Sequence, residues 1–122
     1  MTQRVAVVGA SPNPERYSNQ AVHLLREVGH AVIPVNPGHA VIEGLPAVRR
    51  IEDLETGTID TVTLYVGPGI SAGMAAALMA LAPRRVIFNP GAENPALADT
   101  LRDGGMQVLD ACTLVLLRTG QF

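Results

Sequence analysis

The chain has 122 residues, close to the usual size of one domain, so we expect a single domain over residues 1–122. Apolar residues make up 48% of the chain and the formal charge is −2, which indicates a compact globular protein without the basic field that nucleic-acid binding needs. No apolar run approaches the roughly 20 residues that span a bilayer, and no cleavable signal pattern precedes the first predicted strand, so we expect a cytoplasmic protein without membrane insertion.

The first third of the chain predicts a strand, a helix and a second strand. Residues 4–8 are a short apolar run that ends at Gly9, which is typical of a strand buried on both faces of a parallel sheet. After a loop rich in proline and polar residues, apolar residues recur at helical spacing over residues 21–28, and a glycine follows as a helix stop. Residues 31–35 predict the second strand, which the turn sequence at 36–38 ends.

The middle of the chain carries mixed signals before the pattern returns. Residues 41–42 are compatible with a brief edge strand, and residues 48–54 with one or two helical turns. The β-branched and aromatic residues of 59–66 predict the third main strand, which Gly67-Pro68-Gly69 interrupts. Alanine, methionine and leucine dominate residues 71–81 and predict the next helix.

The last third completes the alternation. Residues 85–88 predict a fourth strand, and Asn94-Pro95 has the residue types of a helix start. Residues 107–110 predict a fifth strand, and residues 114–117 a terminal helical turn or two. Alternation at this spacing requires right-handed crossovers, so the chain predicts an α/β fold: a Rossmann-like, doubly wound, mostly parallel five-stranded sheet with helices on both faces.

In such a sheet, ligands bind outside the carboxyl ends of the strands. The loop over residues 9–18 precedes a helix, whose free N–H groups and positive dipole end favour a phosphate or pyrophosphate. Ser11 offers a hydroxyl donor there and Arg16 a cation. The alternative is an ordinary strand-to-helix loop with Ser18 or Asn19 as the helix N-cap.

The first loop departs from a conventional dinucleotide site. Ser11 and Pro14 occupy the places of the second and third glycines in the pattern Gly-x-Gly-x-x-Gly. The second strand ends in Val35-Asn36-Pro37, which offers no carboxylate to hold an NAD ribose. An NAD(P)-binding oxidoreductase subunit or fragment is therefore the alternative hypothesis rather than the first one.

Five short motifs occur in order from about Arg4 to the C-terminus: VGASP at 8–12, PVNP at 34–37, IDTV at 59–62, IFNPG at 87–91 and ACT at 111–113. Together they resemble the small stand-alone CoA-binding protein family. That family is similar to the N-terminal domain of the succinyl-CoA synthetase α subunit and of related acyl-CoA synthetases, without the parts that perform catalysis. The resemblance implies that coenzyme A or an acyl-CoA is the ligand.

The resemblance also implies where that ligand lies. The implied pyrophosphate contacts are Gly9, Ala10, Ser11, Pro12, Arg16, Tyr17 and Ser18, the adenosine contacts are Pro34, Val35, Asn36, Pro37, Val66, Pro68 and Ile70, and the pantetheine contacts are Asn89, Pro90 and Gly91. Arg16 is the only Lys or Arg of the first loop, so we assign it to the ribose 3′-phosphate. An exposed Arg16 without a contact, and a plain turn at 89–91, are the alternatives.

The sequence offers no catalytic or metal-binding constellation. There is no lysine, no Ser-His-Asp order and no paired carboxylate cluster, and the three histidines lack metal-ligand spacing. We therefore expect a non-enzymatic CoA sensor, buffer or delivery module. Cys112 is either a buried, inert thiol or one that forms a mixed disulfide with CoA. The apolar segment at 114–122 packs within the monomer, seals a homodimer or contacts an acyl-CoA enzyme.

Overall fold

The structure is a computed structural model that describes residues 2–122. The strands in this range are β1 (Arg4–Val8), β2 (Ala31–Val35), β3 (Val41–Ile42), β4 (Leu45–Pro46), β5 (Thr61–Leu64), β6 (Arg85–Phe88) and β7 (Gln107–Asp110). The helices are α1 (Tyr17–Val28), α2 (Pro68–Ser71), α3 (Ala75–Leu81), α4 (Pro95–Asp103) and α5 (Thr113–Arg118), with 3-10 turns at Ile51–Asp53 and Ala72–Met74. Within residues 2–122, no helix is both long enough and apolar enough to cross a membrane.

The main sheet has the order β2-β1-β5-β6-β7, and all of its neighbouring strands are parallel. This confirms the predicted Rossmann-like α/β fold. The chain moves outward from β1 to β2, then returns past β1 to β5 and continues to the other edge. Because parallel crossovers are right-handed, this reversal places helices on both faces.

Alternate residues of β1 serve the two faces of the sheet. Val5 and Val7 face the core beneath α1 and α5, whereas Ala6 and Val8 face the core beneath α3 and α4. The helices contribute Val22, Leu25 and Leu117 to the first core and Leu78, Leu81, Leu97 and Leu101 to the second. The short apolar run of β1 is therefore buried on both sides, as its sequence predicts.

The structure differs from the sequence prediction in the middle of the chain. Val41–Ile42 is a strand, but it pairs with Leu45–Pro46 in a separate antiparallel hairpin rather than with the edge of the main sheet. The helix predicted to begin at residue 71 is preceded by α2, which begins at Pro68, because proline at the first helical position has a suitable φ and needs no N–H partner.

The C-terminal segment packs within the monomer. Leu114 and Leu117 of α5 are buried, and Val115 is 51% exposed. Beyond α5, the Phe122 ring lies 5.2 Å from the His30 ring centroid, and the Arg85 guanidinium lies 4.4 Å from the Phe122 centroid. Most of the predicted apolar segment is thus used internally.

The hairpin β3–β4 is attached to α1 through Glu43. Both turn residues, Glu43 and Gly44, have positive φ angles, of 52° and 74°, which suit a two-residue hairpin turn. Asn19 Nδ2 donates to the Glu43 carboxylate at 2.8 Å, and His23 Nε2 lies 2.9 Å from its other oxygen. The Asn19 hydrogen bond is the main cause that lowers the pKa of Glu43 below its ordinary value.

We predict that Glu43→Gln lowers the free energy of unfolding at pH 7. A carboxyl whose pKa is lowered by folding stabilises the protein fully above its unfolded pKa, here taken as 4.5, and loses that contribution as the pH falls through the folded pKa. The difference between variant and native protein should therefore shrink on acidification in urea titrations. Glu27→Gln, at an exposed site on α1, is the control, and a difference that persists unchanged in acid contradicts the assignment.

Candidate functional site

Two adjoining clefts lie at the carboxyl ends of β1, β2 and β5, where the strand order reverses. The first cleft, of about 540 Å³, is lined by Gly9, Ala10, Ser11, Glu15, Arg16, Tyr17, Ser18, Asn36, Tyr65 and Pro90. The second cleft, of about 420 Å³, is lined by Val8, Gly9, Val35, Pro37, Arg49, Arg50, Ile51, Glu52, Val66, Ile70, Gly73, Met74 and Ala77. Gly9 belongs to both, so the clefts meet at the end of β1.

The loop that follows β1 is held from two sides. Asn36, which follows β2, donates from Nδ2 to the Ala10 carbonyl at 2.7 Å. Asn19 of α1 donates from Nδ2 to the Ser11 carbonyl at 2.9 Å, and the Ser11 hydroxyl accepts from the Asn13 amide at 3.1 Å. These bonds within the chain fix the orientation of the loop carbonyls, which reduces the ordering that binding would require.

The N-terminus of α1 opens into the first cleft without a cap. The N-cap residue is Arg16 rather than Ser18 or Asn19, and no side-chain hydrogen bond caps the helix. The first amides of a helix have no partner within the helix and carry its positive dipole end, so they favour an anion. Glu15 and Arg16 also line the cleft with opposite charges, which makes the amides its main anion-attracting feature.

Tyr65 lines the first cleft, but its hydroxyl oxygen is buried. Burial raises the pKa of Tyr65 to about 12, and this effect is larger than that of the nearby Thr113 and Thr63 hydroxyls, whose hydrogen bonding lowers the pKa. The phenol therefore keeps its proton at neutral pH and is a hydrogen-bond donor rather than a base.

The second cleft is mostly apolar. Val35 and Pro37 come from the end of β2, Val66 and Ile70 from the segment after β5, and Met74 from the turn before α3. Ile70 is 63% exposed at its rim. An apolar slot beside an anion-attracting loop is suited to a flat heteroaromatic ring that is linked to phosphate. Arg49, Arg50 and Glu52 form its charged margin.

Asn89 joins β5, β6 and α5 beneath the first cleft. Its Nδ2 donates to Thr63 Oγ1 at 2.7 Å and to the Leu64 carbonyl at 2.9 Å, and its Oδ1 accepts from the Thr113 amide at 2.9 Å. The Thr63 and Thr113 hydroxyls lie 2.8 Å apart. Asn89 is 2% exposed, so its amide is used for structure.

Most of the residues predicted for the site line one of these clefts. Those of the first loop, with Asn36 and Pro90, line the first cleft, and Val35, Pro37, Val66 and Ile70 line the second. Five do not line either cleft: Pro12, Pro34, Pro68, Asn89 and Gly91. Pro12 and Pro68 are exposed, Pro34 is buried within β2, and Gly91 lies in the turn that exposes Pro90. Arg16 lines the first cleft only.

The sequence reasoning missed several residues of the site. The sequence offers Asn19 only as a candidate helix N-cap, yet it is buried and holds the first loop. Tyr65 belongs to the strand predicted at 59–66, and the sequence gives no reason to set it apart. Arg49 and Arg50 lie in the segment with mixed signals, where their adjacent charges are the one cue. Within residues 2–122, no group of three His, Cys, Asp or Glu side chains is placed to hold a metal ion.

Comparison with known proteins gives a family and a fold. A model of the CoA binding domain matches residues 3–118. The Bacillus subtilis (strain 168) protein YneT is 34% identical over 64 residues, which are 52% of this chain and 47% of that protein, so the alignment spans about half of this curated relative. A crystal structure of an uncharacterized protein has 34% identity and a TM-score of 0.93, and the match covers 100% of this chain and 99% of that one.

One further solved structure supports the fold alone. It is the dinucleotide-forming acetyl-coenzyme A synthetase 1 of Ca. Korarchaeum cryptofilum, in complex with phosphate and ADP. It is 23% identical with a TM-score of 0.75, over 89% of this chain and 25% of the synthetase. The architecture seen here is therefore also found as a small part of a much larger enzyme.

We predict that Gly9→Ala destabilises the protein by about 3 kcal/mol, because it combines backbone strain with overlap. Gly9 has a φ of 84°, and an added Cβ would lie 2.9 Å from Val66 Cγ1 and 3.3 Å from the Tyr65 carbonyl. Gly29 has a φ of 103° with nothing within 4 Å, so Gly29→Ala measures strain alone, at about 1 kcal/mol. Equal losses for both variants in denaturant titrations would contradict the role of overlap.

We predict that Asn89→Ala lowers the free energy of unfolding by about 3 kcal/mol, because buried donors and acceptors lose their partners. Asn13→Ala, in the exposed part of the first loop, is the matched control and should cost less than about 1 kcal/mol. Denaturant titration of both variants checks this, and a mild effect at Asn89 would mean that water replaces its amide.

Proposed function

Because the chain belongs to the family of CoA binding domains, we propose that it binds coenzyme A or an acyl-CoA without chemical conversion, along the carboxyl ends of β1, β2 and β5. The observation that carries this proposal is the junction of two unlike clefts at Gly9. One presents the uncapped start of a helix, and the other is an apolar slot. The adenosine and the pyrophosphate of CoA have the same two characters, an apolar ring system and an anion.

The pyrophosphate belongs in the first cleft. The amides at the start of α1 satisfy phosphate oxygens without any need for a large net positive charge. Asn36 and Asn19 hold the carbonyls of the loop by 2.7 and 2.9 Å hydrogen bonds, so these oxygens are engaged and do not oppose the anion freely. Arg16 adds a charged donor at the same cleft.

The adenosine belongs in the second cleft, between the end of β2 and the segment after β5. Its walls are aliphatic, and Ile70 at the rim is an exposed apolar side chain that a ring would cover. Burial of apolar surface contributes about 25 cal/mol per Å², which makes this slot the main apolar contribution to affinity.

The pantetheine arm then leaves the pyrophosphate along the far side of the first cleft. Pro90 offers apolar surface there, and Tyr17 and Tyr65 line the same cleft with aromatic side chains. The Asn89 side chain takes no part, since its amide is used internally.

A binding role without catalysis agrees with the groups in the first cleft. Its titratable side chains are Glu15, Arg16, Tyr17 and Tyr65, and the raised pKa of Tyr65 makes that phenol a poor general base near neutral pH. The module would sense, buffer or deliver CoA, either as a homodimer or with an acyl-CoA enzyme as its partner. We propose a cytoplasmic location, because of the expected ligand and because a chain whose one cysteine is Cys112 cannot form an internal disulfide.

A nicotinamide dinucleotide is the second candidate, because the uncapped helix also suits its pyrophosphate. Against it, Asn36 stands at the end of β2, where a carboxylate would hold the ribose hydroxyls. Its amide is already engaged with the Ala10 carbonyl at 2.7 Å and the Gly38 amide at 2.6 Å. The ribose would therefore meet no free partner from this residue.

The test is isothermal titration of ligand-free protein with CoA, acetyl-CoA, NAD and NADP under reducing conditions, which prevent disulfide exchange at Cys112. We expect CoA to bind and NAD to bind much more weakly. Ile70→Asp should weaken CoA binding at least about tenfold, because it places a carboxylate in the apolar slot beside an anionic ligand. Val115→Asp changes another exposed apolar residue, on α5 and outside both clefts, and should leave the affinity unchanged.

Three results would overturn the proposal. Binding of NAD or NADP without CoA would identify a dinucleotide site, and no heat with any of the four ligands would remove cofactor binding as the function. Equal losses from Ile70→Asp and Val115→Asp would place the ligand elsewhere on the molecule.

A further inference from the structure

We propose that Arg49, with Arg50 beside it, binds the 3′-phosphate on the ribose of CoA. The inference rests on the proposed function, because it requires adenosine in the second cleft. It makes this cleft selective for CoA over dephospho-CoA, which differs from CoA by that phosphate alone. It also differs from the expectation from the sequence, which assigned the 3′-phosphate to Arg16 as the only Lys or Arg of the first loop.

Arg49 and Arg50 stand at the margin of the apolar slot, immediately before the 3-10 turn at Ile51–Asp53. Arg49 also borders a neighbouring recess of about 270 Å³, which it shares with Pro37 and His39. Its side chain is exposed and forms no salt bridge within residues 2–122. A guanidinium so placed has no protein partner to give up when a phosphate arrives.

Arg50 is only weakly engaged. Its Nη2 lies 3.5 Å from Asp53 Oδ1, and its side chain is 66% exposed. An ion pair of this kind contributes little, so the guanidinium can turn toward a ligand at small cost. Glu52 lies in the same margin and opposes an anion. Asp53 balances Arg50, and Glu52 balances the remaining charge of the margin. Arg49 carries the interaction with the phosphate, because it forms no salt bridge within residues 2–122.

The division of the two clefts separates Arg16 from this role. Arg16 lines the first cleft with the start of α1, whereas Arg49 and Arg50 line the second cleft with the apolar walls. The 3′-phosphate is attached to the ribose and therefore follows the adenosine rather than the pyrophosphate. A phosphate monoester presents several oxygens, which the fork of an arginine matches with two parallel hydrogen bonds.

The experiment measures the affinities of CoA and dephospho-CoA for native protein and for Arg49→Ala, Arg50→Ala and Arg16→Ala. We expect native protein to prefer CoA, and Arg49→Ala to weaken CoA about tenfold with dephospho-CoA changed less than about twofold. Arg50→Ala should have a smaller effect of the same kind. Arg16→Ala should weaken both ligands by the same factor. Arg49→Lys, which keeps the charge, should retain part of the preference.

Arg118→Ala is the control for net charge, since this exposed arginine on α5 lines neither cleft. Unchanged circular dichroism and melting of each variant exclude loss of folding. Equal affinities of native protein for CoA and dephospho-CoA, or a loss of preference in Arg16→Ala and not in Arg49→Ala, would overturn this inference while CoA binding itself stands. Failure of both ligands to bind would remove the proposed function as well as this inference.

Discussion

The close approach of Gly9 to the end of β5 is the constraint on which the rest of the site depends. Gly9 donates its amide to the Val35 carbonyl at 3.0 Å, and the Tyr65 amide donates to the Val8 carbonyl at 2.9 Å. The ends of β2, β1 and β5 are thereby fixed side by side, with no room for a side chain between them. Both clefts share this point, so a ligand that fills both must cross the backbone at Gly9.

Two asparagines turn that constraint into a ready binding loop. Asn36 follows β2 and Asn19 lies in α1, and each holds one carbonyl of the loop after β1. Asn19 is itself held by Glu43 of the small hairpin, so the hairpin, α1 and the loop form one connected unit. The hairpin therefore contributes to the site, because Glu43 orients the Asn19 side chain and Asn19 in turn holds the loop after β1.

The fold could be predicted from the sequence because its signals are local. The apolar run of β1, the turn residues after each strand and the helical spacing between them all specify the same alternation, and handedness then restricts the topology. The hairpin partner of Val41–Ile42 could not be predicted, because a two-residue strand carries no periodicity. The start of α2 was missed because Gly67-Pro68-Gly69 serves equally as an interruption and as a helix start.

The site could be predicted only as far as backbone position determines it. The loop after β1, Asn36 and Pro90 follow strand ends, and parallel strand ends meet at one edge. Which way a side chain points depends on packing across the chain. Asn89 follows a strand in the same manner as Asn36, yet its amide turns inward to Thr63 and Thr113. Tyr65 follows β5, and its hydroxyl is buried near Thr63 and Thr113, an orientation that no local signal reveals.

Charge explains why the site is built in this way. The chain has a formal charge of −2 and would not attract a polyanion over long distances. Affinity for CoA would therefore depend on short-range groups: helix amides and Arg16 in the first cleft, and an apolar slot with Arg49 and Arg50 at its margin in the second. Short-range groups of this kind act only on a ligand phosphate that lies next to them, whereas a long-range electrostatic field would attract any anion. A site built from them would therefore distinguish ligands that carry phosphates in different places.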